Sequence, residues 1–271
     1  MITITKNEFK QLAEYVHSHY GIYLKEEKQA LVTGRLQNVL IDLNLKNFTE
    51  YYNYIISDKS GKAATLLMNK ITTNHTFFMR EADHFSYFRN KVLPYLTSII
   101  KNKDLRVWSA GCSTGEEPYT LAMIIDDYLG IDKIGWDSRI LATDISNKVL
   151  EDARKGVYRN EEIEELPAKW KLDYLKKMNN GSSVLVDKIR NEVIYRKFNL
   201  MDAIFPFKRK FHVIFCRNVM IYFDSKTKME LVNKFYDMME YGGYLFIGHS
   251  ESLNREETRY KYIKPSVYRK E

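Results

Sequence analysis

In the stretch NEFKQLAEYVHSHYG, the apolar residues Phe9, Leu12 and Val16 recur at helical spacing, and the pattern stops at Gly21. EEKQALVTGRLQNVLIDLNL repeats the period with Leu31, Leu36, Val39, Leu40 and Leu43. Shorter helices fit TEYYNYIIS and SGKAATLLMNKI, the second with Ser60 placed to cap it. Residues 1–75 therefore predict a small all-α N-terminal domain. The amphipathic segment EADHFSYFRNKVLPYLTSIIK follows, and its Pro94 either kinks one helix or starts a second. Residues 76–105 read as a linker helix region.

At residue 106 the period changes. LRVWSA, EPYTLAMIIDDYLG, RILATDIS and KVLEDARKG alternate strand, helix, strand and helix, which predicts a doubly wound parallel sheet of the α/β class across residues 106–271. The alternation breaks between Val157 and Tyr195. There KWKLDYLKKM, SSVLVDKI and NEVIYRKF are short strand-like runs joined by NNGS and RN, an antiparallel insert at about 157–195. The last run is either part of that insert or the next strand of the main sheet. FHVIFCRN, the helix KTKMELVNKFYDMME, a YGGY turn, YLFIGHS and a closing hairpin through YKYIKPSVYRKE complete the domain.

Composition changes this picture little. The 271 residues are 45% hydrophobic and 28% charged, as in ordinary globular chains. The charged N-terminus lacks an apolar signal region and no apolar run approaches about 18 residues, so a cytoplasmic protein is expected. Cys112 and Cys216 then read as reduced, small apolar residues. The histidines His17, His19, His75, His84, His212 and His249 lack metal-site spacing, and no metal is expected. A net charge of +7 suits an acidic partner, which could be nucleic acid, a membrane surface or an acidic protein.

Chemistry concentrates where the strands end. SAGCSTGEEPY places Gly111 and Gly115 after a strand and before a helix, at the switch point where a doubly wound sheet binds its ligand. These glycines either let backbone approach a ligand or simply make a tight turn. Glu116 and Glu117 stand where a phosphate loop would carry its lysine and would repel phosphate, so the expected ligand is a nucleoside without phosphates, and a cationic one. Asp144 closes the next strand, where a carboxylate can accept from both hydroxyls of a ribose; capping the helix that follows, with Ser146, is its alternative role. Its separation from Gly115 exceeds the about 20 residues of a dinucleotide fingerprint, which argues against NAD. TTNHTFFMRE carries Thr73, Asn74, Thr76 and Arg80, and CRNVMIYFD sets Arg217, Asn218, Tyr222 and Asp224 at the carboxyl edge of the sheet. A surface salt bridge from Arg80 to Glu81 or Asp83, and simple packing of Tyr222, are the competing roles.

Taken in order, TTNHTFFMREADHF, VWSAGCSTGEEPYTLAM, ATDIS, IFCRNVMIYFD and GGYLFIGHSESL resemble the bacterial chemotaxis receptor methyltransferases, the CheR family. The resemblance spans nearly the whole chain and implies a Rossmann-like methyltransferase domain with a small antiparallel β insert behind an all-α domain. It implies S-adenosylmethionine as cofactor, S-adenosylhomocysteine as product, and methylation of glutamate side chains on cytoplasmic helices of chemoreceptors. The implied cofactor contacts are Asn74, Thr76, Arg80, Glu117, Asp144, Asn199, Leu200, Arg217 and Asn218, beside Gly111 of the glycine loop. Asp144 would hold the ribose, Asn199 and Leu200 the adenine, and Glu117 the ammonium. Arg80 and Tyr222 match the family's catalytic pair and would steer the substrate carboxylate. His75 and Met79 depart from the motif between residues that keep it.

The partner implied is a receptor cytoplasmic domain, with neither nucleic acid nor membrane insertion and with the enzyme a monomer. Lys25, Lys28, Arg35 and Lys46 would face its glutamates, and the insert is where the family docks its receptor. A nucleic-acid methyltransferase fits the basic charge, but CRNVMIY lacks the proline-aromatic platform of such enzymes. A module that only senses the cofactor would not need Arg80 and Tyr222.

Overall fold

The computed structural model describes residues 2–72 and 75–271. These form two compact units, one of residues 2–72 with Tyr222–Thr227 and the other of His75–Ile221 with Lys228–Glu271. Asn74, an expected cofactor contact, lies outside the described residues, as does Thr73.

The first unit packs four helices, α1 (Lys6–Tyr20), α2 (Gln29–Asp42), α3 (Phe48–Ser57) and α4 (Lys62–Ile71), around one apolar core. α1 opens on a reciprocal cap between Thr5 and Glu8, buries Phe9, Leu12 and Val16, and ends on the left-handed Gly21. α2 buries Val32, Leu36, Val39 and Leu40, while Leu31 is 41% exposed. Leu31 lies one residue out of phase with that set, about 100° round the helix. The expected Ser60 cap is also corrected. Gly61 occupies the cap position, and the Asp58 carboxylate accepts from Ala63 N at 2.7 Å and Ser60 N at 2.8 Å. Those bonds hold the Asp58 carboxyl down to about 2. At the other end of α4, Arg35 Nη1 donates to the Ile71 carbonyl at 2.9 Å, so this arginine closes a helix.

Tyr222–Thr227 returns to these helices. Tyr23 N donates to Tyr222 O at 2.8 Å, Phe223 bridges Ile22, and His17 Nε2 lies 2.7 Å from Asp224 Oδ2. The rings of Tyr222 and Phe223 pack half-buried on the helical core.

In the second unit the linker region becomes α5 (Ala82–Tyr87), a π-helical turn at Phe88–Val92, and α6 (Leu93–Ile99). Pro94 sits in the first turn of α6, directly after the π-helical turn. The sheet strands are β1 (Val107–Ala110), β2 (Ile140–Asp144), β6 (Val193–Lys197), β7 (Phe211–Cys216), β8 (Met239–Ile247), β9 (Lys261–Lys264) and β10 (Val267–Arg269). Their order is β6-β2-β1-β7-β8-β10-β9, parallel as far as β8 and antiparallel through the closing hairpin. Every residue of β1 and of β7 is buried, as expected for parallel strands covered on both faces. The chain leaves β1 toward β2 on one side and later returns to β7 on the other. The switch point thus falls at the end of β1, as the sequence predicts.

Helix α7 (Glu116–Leu129) follows β1, and α8 (Asn147–Lys155) follows β2. The insert is a three-stranded antiparallel sheet, β3 (Val157–Arg159), β5 (Ser182–Leu185) and β4 (Leu175–Lys177), with α9 (Ala168–Tyr174) before β4 and α10 (Asp187–Arg190) after β5. One expectation changes here and one open choice is resolved. KWKLDYLKKM is mainly helix, burying Trp170 and Tyr174 one turn apart. Val193–Lys197, left open between insert and sheet, pairs parallel with β2, so the insert ends before it. YGGY is not a turn. β8 runs through it with a break in register against β7, and glycine stands at 243 because a Cβ there would lie 2.8 Å from the His212 carbonyl of the neighbouring strand. α11 (Ser225–Asp237) precedes β8. Among the described residues no helix is long and apolar enough to cross a membrane.

Candidate active site at the strand ends

Four amides of the loop after β1 are bonded within the protein. Gly111 N and Cys112 N donate to Thr143 O at 2.8 and 2.9 Å, Ser113 N donates to Asp144 Oδ2 at 3.0 Å, and Gly115 N donates to Cys112 O at 3.1 Å. A phosphate cradle needs such amides turned outward. These four amides are therefore not free to cradle phosphate, and the carboxylates beside them oppose it by charge. Gly111 (φ 85°) and Gly115 (φ 98°) take left-handed backbone. A Cβ at Gly111 would lie 2.4 Å from Val219 Cγ2, and one at Gly115 would lie 2.7 Å from Tyr195 Oη. The left-handed backbone and the neighbouring side chains both demand glycine at these two positions.

The two glutamates after the loop part company. Glu117, in the first turn of α7, accepts from Ser109 Oγ at 2.7 Å and from Arg217 Nη1 at 3.0 Å. Glu116 is buried against Thr114, whose hydroxyl donates to it, and burial pushes its carboxyl up to about 7. Only Glu117 joins the strand-end cluster.

Arg217 ends β7 with only 7% of its surface exposed, its guanidinium 5.1 Å from the centre of the Phe85 ring. It donates to Glu117 on one side, and on the other to the Arg80 carbonyl and to Glu81 Oε2. Two carboxylates thus face one guanidinium, leaving a local excess of negative charge. Arg80 itself, half-buried, donates from Nη1 to His75 O at 2.7 Å. Among the described residues it pairs with no carboxylate, because Glu81 turns to Arg217 while Asp83 meets His249 and Lys264. The salt bridge weighed for Arg80 is therefore not made. Thr76 is half-buried in the same segment.

Asp144 ends β2, and its carboxylate accepts from Ser113 N and Ser146 N, each at 3.0 Å. The cap of α8 falls to Ser146, whose hydroxyl accepts from Val149 N. A carboxylate has about four lone-pair positions, so Asp144 keeps capacity for hydroxyl donors. Burial raises its pKa, and the amides of Ser146 and Ser113 offset part of that rise. Phe198 N donates to Asp144 O at 3.0 Å, which sets Asn199 and Leu200 beside the end of β2. Asn199 Oδ1 accepts from Met201 N at 3.0 Å. Asn218 takes left-handed backbone (φ 58°) just past β7, and Tyr222 is a member of the helical unit.

Several polar residues carry the site without having been singled out in the sequence. Glu81 accepts from Arg217, from Asn218 Nδ2 at 3.3 Å and from His249 N at 3.1 Å. Burial acts to raise its pKa, but the Arg217 charge and these bonds outweigh burial and hold the carboxyl low. Glu251, 5% exposed, accepts from Asn218 N at 3.0 Å and Ile221 N at 3.1 Å, and so fixes the turn after β7. Both lie inside quoted motifs, READHF and GHSESL, but the sequence carries no sign of their partners. The histidines also gather. Glu81, His84 and His249 offer ligand atoms within 4.8 Å of one another, a grouping their spacing does not announce. The Glu81 oxygen 3.4 Å from His84 Nδ1 is the one Arg217 holds, so a cation there would face a guanidinium.

Residues 74–269 match the family model described as CheR methyltransferase, SAM binding domain, and residues 7–72 match CheR methyltransferase, all-alpha domain. The chain is 44% identical over 272 residues to the chemotaxis protein methyltransferase of Borreliella burgdorferi, covering 99% of this chain and 96% of that one. It is 35% identical over 268 residues to a probable chemotaxis protein methyltransferase of Rhizobium etli, covering 94% and 99% respectively. Against the chemotaxis protein methyltransferase of Escherichia coli the identity is 34% over 272 residues, covering 98% and 92%. A carboxylate-rich edge at the switch point suits the cationic nucleoside that such a domain binds. With both family domains matched in order along almost its whole length, this chain belongs to the CheR methyltransferase family and is an S-adenosylmethionine-dependent methyltransferase.

Proposed function

We propose that this enzyme transfers the methyl group of S-adenosylmethionine to glutamate side chains on cytoplasmic helices of chemoreceptors, giving glutamate methyl esters. The observation that carries the reading is the cluster of Glu117, Glu81 and Arg217 beside a loop with four bonded amides, which suits a sulfonium and an ammonium and opposes phosphate by charge. The names of the chemotaxis relatives point to the receptor as acceptor. The enzyme acts as a cytoplasmic monomer, its helical domain and β insert offering surface to the receptor.

When bound, the cofactor supplies an electrophilic methyl carbon and leaves as a neutral thioether, S-adenosylhomocysteine. Asp144 would accept from the ribose hydroxyls, Asn199 and Leu200 would hold the adenine, and Glu117 would take the ammonium. Thr76, Gly111, Arg217 and Asn218 complete the contacts, with Asn74 from the neighbouring stretch. Arg80 and Tyr222 orient the acceptor carboxylate, Tyr222 by donating from its phenol. A glutamate carboxylate, with an ordinary pKa near 4.3, is ionised at neutral pH, so no general base is needed. Positioning and exclusion of water supply the rate.

The test is incubation with methyl-labelled cofactor and receptor cytoplasmic fragments, followed by mild alkali. Label released as methanol supports carboxyl methylation. Label that survives alkali on protein, or transfer to nucleic acid in preference to receptor, overturns it.

A further inference from the structure

Arg80 is flanked by strained backbone. Met79 (φ 62°) and Glu81 (φ 57°), neither a glycine, both take the left-handed region. Such backbone persists only where surrounding contacts over-determine it. Here the contacts converge on a single side chain. Glu81 accepts from Arg217 Nε at 3.3 Å and Nη2 at 3.1 Å, from Asn218 Nδ2 at 3.3 Å and from His249 N at 3.1 Å. The same Arg217 Nη2 donates to the Arg80 carbonyl, so Arg80 is gripped through its own main chain. Arg217 is anchored in turn by Glu117 at 3.0 Å. The ends of β7 and β8 and the start of α7 thus hold one turn through one carboxylate. The Arg80 guanidinium, aimed by its bond to His75 O, projects from that turn.

We infer that Glu81 is a positioning residue for methyl transfer: by clasping Arg217, Asn218 and the His249 amide it fixes the left-handed turn that presents Arg80. This rests on the proposed role of Arg80 toward the acceptor carboxylate. Glu81 itself needs no contact with cofactor or acceptor. Its charge matters because Arg217 is nearly fully buried, and a neutral amide would turn a donor toward one or another of its donors.

The experiment has two arms, run on Glu81→Gln, Arg80→Ala and the double variant. In the first, hydrogen exchange is followed in peptides covering residues 77–84. Glu81→Gln should exchange there at least tenfold faster while the β1 and β7 peptides are unchanged. Wild-type protection in 77–84 overturns the clasp, whatever the acceptor proves to be. In the second arm, kcat for the receptor fragment should fall about tenfold to a hundredfold in Glu81→Gln. In the Arg80→Ala background the same substitution should cost less than about threefold, since the residue being positioned is gone. Fully additive losses overturn positioning through Arg80 and leave Glu81 a stability residue only. If Glu81→Gln does not fold, Glu81→Asp, which keeps the charge but shortens the reach, must show the same faster exchange and the same sub-additive loss. Failure of the alkali test in the wild type would instead overturn the acceptor assignment and leave the exchange arm standing.

Discussion

Glu116 and Glu117 show how adjacent side chains of one chemistry receive different tasks. Glu117 meets a guanidinium; Glu116 is buried with only a hydroxyl for company, and its carboxyl is raised to about 7. A carboxyl whose folded pKa lies above its unfolded value contributes stability that is present below about pH 4.5 and lost as pH rises through 7. Glu116→Gln should therefore melt close to wild type at pH 5 and higher at pH 8, with a difference of up to about 3 kcal/mol. Parallel melting curves at the two pH values check this, and an equal shift at both would place the raised pKa elsewhere. At the same scale, Tyr222→Phe keeps the ring that packs on the helical core and removes only its hydroxyl. Steady-state kcat should drop about tenfold to a hundredfold, with cofactor affinity by calorimetry and melting temperature nearly unchanged. Wild-type turnover would leave Tyr222 a packing residue.

At the level of elements, the β insert braces the ligand loop. Tyr158, on β3, donates from its hydroxyl to Thr114 O at 2.8 Å. A Cβ at Gly115 would lie 2.7 Å from Tyr195 Oη, 2.9 Å from Ala153 Cβ and 3.1 Å from Tyr158 Oη. Gly115→Ala should then destabilise by about 1–3 kcal/mol through crowding and through its left-handed backbone. Adding Tyr195→Phe should recover part of the loss, because it removes the nearest atom. Recovery of none, read from denaturant midpoints, would leave the cost with the backbone and the Ala153 and Tyr158 contacts. The same geometry explains why the loop could be located from its glycines while the reason for each glycine could not. A glycine required by a ligand and one required by a tyrosine look alike in sequence.

For the whole molecule, cofactor binding should report on the sheet domain. S-adenosylhomocysteine at about a hundred times its Kd should stabilise by about 2.7 kcal/mol and raise Tm. Asp144→Ala should weaken that binding by about one to two orders of magnitude, the loss of a charge-assisted pair of bonds. Unchanged calorimetric affinity would remove Asp144 from the site. The two arms of the protein's charge also separate at this scale. Lys25, Lys28 and Lys46 are exposed on the helical unit, whereas Arg35 closes α4.

The sequence by itself determined the local periods and the order of motifs: the apolar face Phe9, Leu12 and Val16, the strand and glycine loop at 107–115, and the family resemblance that names the cofactor. Helical and strand periods arise between near neighbours and survive in one dimension. Tertiary structure alone decided that Val193–Lys197 lies beside β2 and that Tyr222 packs with the N-terminal helices. It also decided that Glu117, not Glu116, meets Arg217 a hundred positions away, and that Glu81 reaches it across 136. Those choices depend on strand order, which brings distant strand ends to one edge, and on burial, which makes each buried charge find a partner there.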